Sequence, residues 1–138
     1  KSIPKVATVA SPRRTATLSG RELGPDDMDI MVRMISVGQP HRAVPLTGAS
    51  CLAVATRVQG SIPARLARRI DEGTSQIRIA HPSGLIVVDA KVSGNPRKGE
   101  PLNAEYAAIY RTARRLFEGR VLVRPPRSVR AVAAGGRT

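Results

Sequence analysis

The stretch GQPHRAVPLTGASC, residues 38–51, separates two apolar segments and decides how this chain folds. Its glycines and prolines stop the backbone, turn it and let a helix restart near Thr47 and Gly48. The start of a helix carries unpaired backbone N–H groups and the positive end of the helix dipole. We therefore expect an anion pocket at this restart, with a small organic acid as its ligand.

The composition fits one globular domain without a membrane span or a metal centre. The 138 residues suffice for a hydrophobic core, and the hydrophobic content of 41% is ordinary. Neither a bilayer-spanning apolar run nor a signal-peptide pattern is present in this sequence. The single cysteine excludes an internal disulfide framework and indicates a reducing, cytoplasmic compartment. Two histidines without a Cys-x-x-Cys pair offer no metal-ligand cluster.

The net charge of +13 leaves nucleic-acid binding open as an alternative function. Only four of the 23 basic residues are lysines, so a GC-rich genome that encodes arginine in their place also explains the charge. The arginines are scattered, and an aromatic content of 2% leaves few platforms on which bases could stack. These features disfavour nucleic acid as the partner.

Before the 38–51 stretch, the sequence predicts an amphipathic helix between Asp26 and Gly38. Asp26 is a candidate N-cap, and further acidic residues fall in the first turn, where they are favoured. Gly38 would end the helix, with Pro40 shortly after it. Its apolar residues recur at helical spacing. They are Met28, Met31, Val32 and Ile35.

After the stretch, residues 47–58 predict a second helix, which is apolar around most of its circumference and therefore buried. Gly60 ends it, and a short helical turn carrying Arg65 and Arg68 restarts at Ser61.

Three short segments predict strands, namely residues 5–10, 76–80 and 85–88. Residues 82–84 have the composition of a turn that joins the last two into a hairpin. The third strand is apolar on both faces and should be central. Residues 93–101 predict an exposed loop.

Residues 104–123 are ambiguous. Their apolar spacing fits a helix as far as Gly119, and alanine, glutamate and arginine favour helices. Val121-Leu122-Val123 would then form a short strand. The remainder, rich in Pro, Arg, Ala and Gly, predicts a disordered basic tail over residues 125–138.

Taken together, five segments resemble the PrpF family of isomerases. This family includes methylaconitate cis–trans isomerase, methylitaconate Δ-isomerase and 4-oxalomesaconate tautomerase. The segments occur in the family's order at near-family spacing. They are PKVA (4–7) with SP (11–12), DIMVRMISVGQPHRA (29–43), TGA (47–49), HPSG (81–84) and RTARRLFEGRV (111–121).

The resemblance implies an α+β fold similar to one half of diaminopimelate epimerase, with a curved, mostly antiparallel sheet around a buried central helix. Residues 1–124 would form a truncated C-terminal domain of a two-domain isomerase. Its ligand would lie in a cleft whose other wall belongs to a missing N-terminal half or a partner chain. The family's proton-transfer Lys and Cys would lie in that missing half. The resemblance also favours a strand over residues 107–117.

By resemblance, the chain would help isomerise the double bond of a small unsaturated di- or tricarboxylate by proton transfer, without metal or organic cofactor. It would supply carboxylate-binding groups and no catalytic base. The predicted substrate-binding residues are Thr47, Gly48, Ala49, Ser83, Gly84, His81 and His41.

Each of these assignments has a purely structural alternative. Thr47 could be an ordinary N-cap, residues 81–84 only a hairpin turn, and His41 a partner for loop hydrogen bonds. Cys51, on the second turn of an apolar helix, is expected to act as a small buried hydrophobe. The arginines near the end of the chain could clamp a carboxylate or lie on a solvated face. They are Arg111, Arg114 and Arg115.

Overall fold

The computed structural model describes residues 5–68, 74–94, 99–111 and 113–123. It is an α+β architecture in which a mostly antiparallel sheet, ordered β1-β4-β6-β7-β8, curls around one helix. A short strand, β5, pairs with β4, and β2 and β3 form a separate ribbon. The strands are Lys5–Ala10, Thr15–Ala16, Glu22–Leu23, Ile30–Ser36, Gln39–Pro40, Gln76–His81, Gly84–Ser93 and Asn103–Ile109, numbered β1 to β8, and the α helices are α1, Leu46–Ala55, and α2, Ile62–Leu66.

Helix α1 forms the centre of the main core, as the sequence predicts. Ala49, Leu52 and Ala53 are buried. They pack against side chains of β4, β6 and β7. Small side chains on a helix let neighbouring backbone approach closely, which suits a helix enclosed by a sheet. None of the helices among the described residues is long and apolar enough to cross a membrane.

The helix predicted between Asp26 and Gly38 is wrong. A 3-10 turn, Pro25–Asp27, is followed by strand β4. The apolar spacing fits both periods, and strand pairing decides between them. A helix would pair the backbone groups of this segment internally, but in the sheet they pair with the whole length of β1 and with β6, and the side chains are buried on both faces. Val37 and Gly38, at φ +54° and +73°, form the turn into β5 instead of a helix end.

Alternation along β4 separates two cores. Val32 and Met34 face α1, whereas Met31 belongs to a smaller cluster on the outer face with Leu23, Met28 and Ala80. The β2–β3 ribbon contributes Leu23 to this second cluster. The sheet is therefore covered on both faces near its β4–β6 junction.

The β6–β7 hairpin confirms the two strands predicted at residues 76–80 and 85–88 and the turn predicted between them. Its loop has two residues, Pro82 and Ser83, between His81 and Gly84, which are paired. Gly84 has φ +140°, a conformation that only glycine adopts readily. Strand β7 pairs on both sides, as expected for a strand that is apolar on both faces.

The end of the described chain differs from both predictions for it, the helix that ends at Gly119 and the strand over residues 107–117. Residues 103–109 form a strand, so the predicted helix is wrong there; of the predicted 107–117 strand, residues 107–109 are confirmed, and the other described residues, 110, 111 and 113–117, are not in a strand. Residues 113–123 have no regular structure, and Phe117 and Leu122 are 87% and 96% exposed. No surface in the described chain buries these apolar side chains, so packing does not stabilise a strand or a helix here. The predicted tail, 125–138, and part of the predicted 93–101 loop lie outside the described residues.

Candidate functional site

Helix α1 begins without a capping side chain. Its N-cap is Pro45 in extended geometry, and no side chain in the described segments accepts a hydrogen bond as its cap. Thr47 is the second residue of the helix, so the interpretation of Thr47 as an ordinary N-cap is wrong. An uncapped start leaves first-turn N–H groups available to an external acceptor.

The unpaired donors are fewer than the sequence suggests. The Ala49 N–H donates to the Pro45 carbonyl at 2.9 Å, which is the first hydrogen bond of the helix. The Ala49 N–H is therefore not free, and substrate binding by Ala49 stays a prediction that requires this bond to exchange. Leu46, Thr47 and Gly48 precede this bond and have no acceptor within the helix, because an N–H pairs with a carbonyl four residues earlier.

Thr47 and Gly48 line a groove of about 730 Å³ between α1, α2 and the edge of the sheet. Lys5 of β1 and Met34 of β4 contribute to its walls. A side-chain carbon added at Gly48 would lie 2.7 Å from the Met34 Cε, so a larger residue there would have to displace the flexible end of that methionine.

Cys51 also lines this groove and is exposed, which corrects its predicted role as a buried hydrophobe. Lys5 and Cys51 were not among the predicted site residues. The pairing of β1 with β4, which brings Lys5 beside α1, is a long-range contact that no local motif signals. Alternation in the first strand places Lys5 and Ala7 on one face and offers the only hint.

The 81–84 turn is fastened to the loop that precedes α1. Ser83 Oγ donates to the Arg42 carbonyl at 2.7 Å, and the Ser83 N–H donates to His81 Nδ1 at 3.2 Å. Burial, reinforced by the charge of Arg33, lowers the pKa of His81, although a hydrogen bond to the Arg42 backbone partly opposes this. In this arrangement both Ser83 donors have partners within the chain, so carboxylate binding by them stays a prediction that requires these bonds to exchange.

The other predicted residues lie apart from the groove. The His41 N–H donates to the Met34 carbonyl at 2.8 Å and ties the loop to β4. Arg111, Arg114 and Arg115 are exposed, and Arg115 pairs with Glu118 at 2.7 Å. The structure thus brings Thr47 and Gly48 into one groove and joins the 81–84 turn to the loop that precedes α1. It places neither histidine among the residues that line the groove.

The site has no grouping of side chains suited to a metal. Within residues 5–68, 74–94, 99–111 and 113–123, no cluster of three or more His, Cys, Asp or Glu residues could hold a metal ion. The chemical capacity of the groove lies in backbone donors at a helix start, one nearby ammonium group and apolar walls.

Comparison with known proteins identifies the family. A family model described as PrpF protein matches residues 1–124. The 2-methyl-aconitate isomerase of Shewanella oneidensis is 34% identical over 127 residues, or 89% of this chain and 30% of that protein. The 3-methylitaconate isomerase of Eubacterium barkeri is 33% identical over 124 residues, or 88% of this chain and 30% of that protein. This chain thus spans about 30% of the length of these relatives.

The fold is also found in a solved structure. The crystal structure of a methylitaconate-delta-isomerase matches with a TM-score of 0.64 at 24% identity, covering 80% of this chain and 28% of that one. This likeness shows the curled-sheet, diaminopimelate epimerase-like fold. Because the family model covers nearly the whole sequence, the chain belongs to the PrpF family.

Proposed function

We propose that this chain forms the carboxylate-binding part of an isomerase that shifts or isomerises the double bond of an aconitate-type di- or tricarboxylate. The observation that carries the proposal is the uncapped start of α1, whose Thr47 and Gly48 border the groove. The names of the relatives, isomerases of methylaconitate and methylitaconate, support the substrate class.

The chemistry of such a reaction suits these donors. Moving a double bond beside a carboxylate requires a proton to leave one carbon and another to be added elsewhere. The intermediate delocalises negative charge into the carboxylate, and preorganised donors aimed at that charge stabilise it. The N–H groups of Thr47 and Gly48 would hold the carboxylate, and the ammonium group of Lys5 would attract it electrostatically.

The proton-transfer base is proposed to lie outside this chain, in another part of the protein or in a partner. The purified 138-residue chain is therefore expected to bind aconitate-type acids without turning them over. Turnover of cis-aconitate by the purified chain would contradict this division of labour.

Binding can be tested by calorimetry with cis-aconitate and a matched pair of substitutions. Thr47→Asp places a negative charge on the first turn of α1, where it favours the helix but repels a carboxylate ligand. Thr47→Asn has nearly the same shape without the charge. We expect Thr47→Asp to abolish binding while stability is kept, and Thr47→Asn to retain binding. Equal affinity of the two variants would overturn the proposal.

The alternative function, electrostatic binding of nucleic acid, rests on the net charge of +13. It predicts an affinity for DNA or RNA that falls steeply with salt and does not respond to Thr47→Asp more than to any other added charge. Steep salt dependence for nucleic acid, together with no measurable binding of organic acids, would favour this alternative.

A further inference from the structure

A second concavity lies on the outer face of the sheet, over the edge strand β1 and its neighbour β4. Its volume is about 310 Å³, and Arg13, Arg33 and Thr15 are among the residues that line it. Thr8 and Arg33 are directly opposite each other in the β1–β4 ladder, so their side chains share this face. The neighbouring pair, Val9 and Val32, packs on the other side in the α1 core.

The two arginines in this concavity are not neutralised within the part of the chain that the structure describes. The carboxylate ion pairs there use four other arginines and Lys91, and the one hydrogen bond that Arg33 donates in that part goes to a neighbouring backbone carbonyl, that of Val32, at 3.1 Å. Two cations in a concave surface raise the local potential and concentrate anions. The paired arginines are Arg14, Arg68, Arg78 and Arg115.

We propose that this concavity binds a small oxyanion with two or more negative charges, held by Arg13 and Arg33. Planar guanidinium groups match the spacing of carboxylate and phosphate oxygens and can donate two hydrogen bonds at once. Thr8 and Thr15 also line the concavity, and their hydroxyl groups could add donors. The bond that Thr8 Oγ1 now donates to the Arg33 carbonyl is 3.4 Å long and exposed, so it is easily exchanged.

This outer-face site is independent of the proposed function. Thr8 and Val9, on the edge strand, border both concavities, but Thr15 and Arg33 border only this one. Their backbone amide resonances therefore report on the outer-face site alone, and those of Thr47 and Gly48 report on the groove.

The test is a pair of titrations of the ¹⁵N-labelled chain, one with inorganic phosphate and one with citrate. Saturable shifts at Thr15 and Arg33 are expected, and the probe that binds more tightly distinguishes a phosphate from a carboxylate ligand. Arg13→Gln and Arg33→Gln should each weaken binding about tenfold or more, since hydrogen bonds to charged groups are strong. Arg21→Gln makes the same charge change outside the concavity and should leave the affinity within about twofold.

Two results would overturn the proposal. One is the absence of saturable shifts at Thr15 and Arg33 with either probe. The other is equal weakening by all three substitutions, which would indicate attraction to net charge rather than a site. If one pocket variant fails to fold, the other decides, because the proposal requires both arginines.

Discussion

Strand β4 and helix α1 flank the same loop, and both are rich in apolar residues, yet they adopt opposite secondary structures. In β4, Val32 and Met34 point to one face while Arg33 and Ile35 point to the other. In α1, buried residues recur at positions 49, 52 and 53, and small residues dominate. Apolar spacing alone therefore does not decide between strand and helix. A partner strand does, where one is available.

The alternation of β4 is tested most strongly by removing side-chain volume from one of its two faces. Ile30 is fully buried and belongs to the α1 core, so Ile30→Ala should lower the free energy of unfolding by about 2–5 kcal/mol. Ile35, which is 39% exposed on the opposite face, provides the matched control. Ile35→Ala should cost less than half as much. Equal losses in urea denaturation would contradict the alternation of the strand.

The next largest effect concerns the entry into β4. The Asp29 carboxylate accepts hydrogen bonds from the Arg78 backbone N–H at 2.7 Å and from its guanidinium group, and this contact raises the pKa of Arg78. Asp29→Asn should cost about 1–3 kcal/mol of unfolding free energy, because a charge-assisted acceptor is lost from a mostly buried position.

Asp26→Asn is the control for Asp29→Asn. Asp26 pairs with Arg68 at 2.9 Å, but both side chains are well exposed. Exposed ion pairs contribute about 0–1 kcal/mol, so this substitution should be nearly silent in the same denaturation experiment. A larger loss at Asp26 than at Asp29 would show that the acidic segment still acts as a helix start.

The contact between the two regions can be probed at Gly48. A methyl group there would meet Met34 Cε at 2.7 Å, a contact that only movement of the methionine can relieve. Gly48→Ala should change the free energy of unfolding by less than about 1 kcal/mol, because the flexible end of Met34 can move aside and alanine favours the helix. In a double-mutant cycle with Met34→Ala, which removes the contacting atom, Gly48→Ala should be more favourable than it is with Met34 in place. Equal effects of Gly48→Ala in the two backgrounds would show that Gly48 and Met34 do not interact.

The smallest predicted effect is pH dependence at the junction of the two regions. The pKa of His81 lies below its ordinary value of 6.5, mainly because burial disfavours the charged imidazole. The unfolded chain therefore binds its proton at higher pH than the folded chain does. Stability from this group is fully present above pH 6.5 and is lost as the pH falls from there through the lowered pKa. Protonation of His81 should account for part of the drop in Tm between pH 7 and pH 5. His81→Asn should make that drop smaller.

Sequence reasoning succeeded where the signal was local. The β6–β7 hairpin followed from alternation and a Pro-Ser-Gly turn, and α1 followed from an apolar run bounded by proline and glycine. It failed for β4, because Met28, Met31 and Ile35 follow a helical period while Ile30, Val32 and Met34 alternate as in a strand, and only pairing with β1 and β6 decides.

The site could be predicted only in part, because some of its contacts also join residues that are distant in the sequence. Thr47 and Gly48 could be located from the turn that precedes a helix. The bond from the Ala49 N–H to Pro45 depends on which residue is the N-cap, and a one-residue change in the helix start reassigns every donor. The fastening of Ser83 to Arg42 joins positions 41 residues apart and leaves no mark in either local sequence.

The central claim, that the start of α1 holds a carboxylate, is tested most directly by titrating the ¹⁵N-labelled chain with cis-aconitate. If these amides bind the carboxylate, the Thr47 and Gly48 resonances should show saturable shifts, which Thr47→Asp abolishes and Thr47→Asn preserves. Unchanged Thr47 and Gly48 resonances at saturating ligand, or shifts that survive Thr47→Asp, would contradict it.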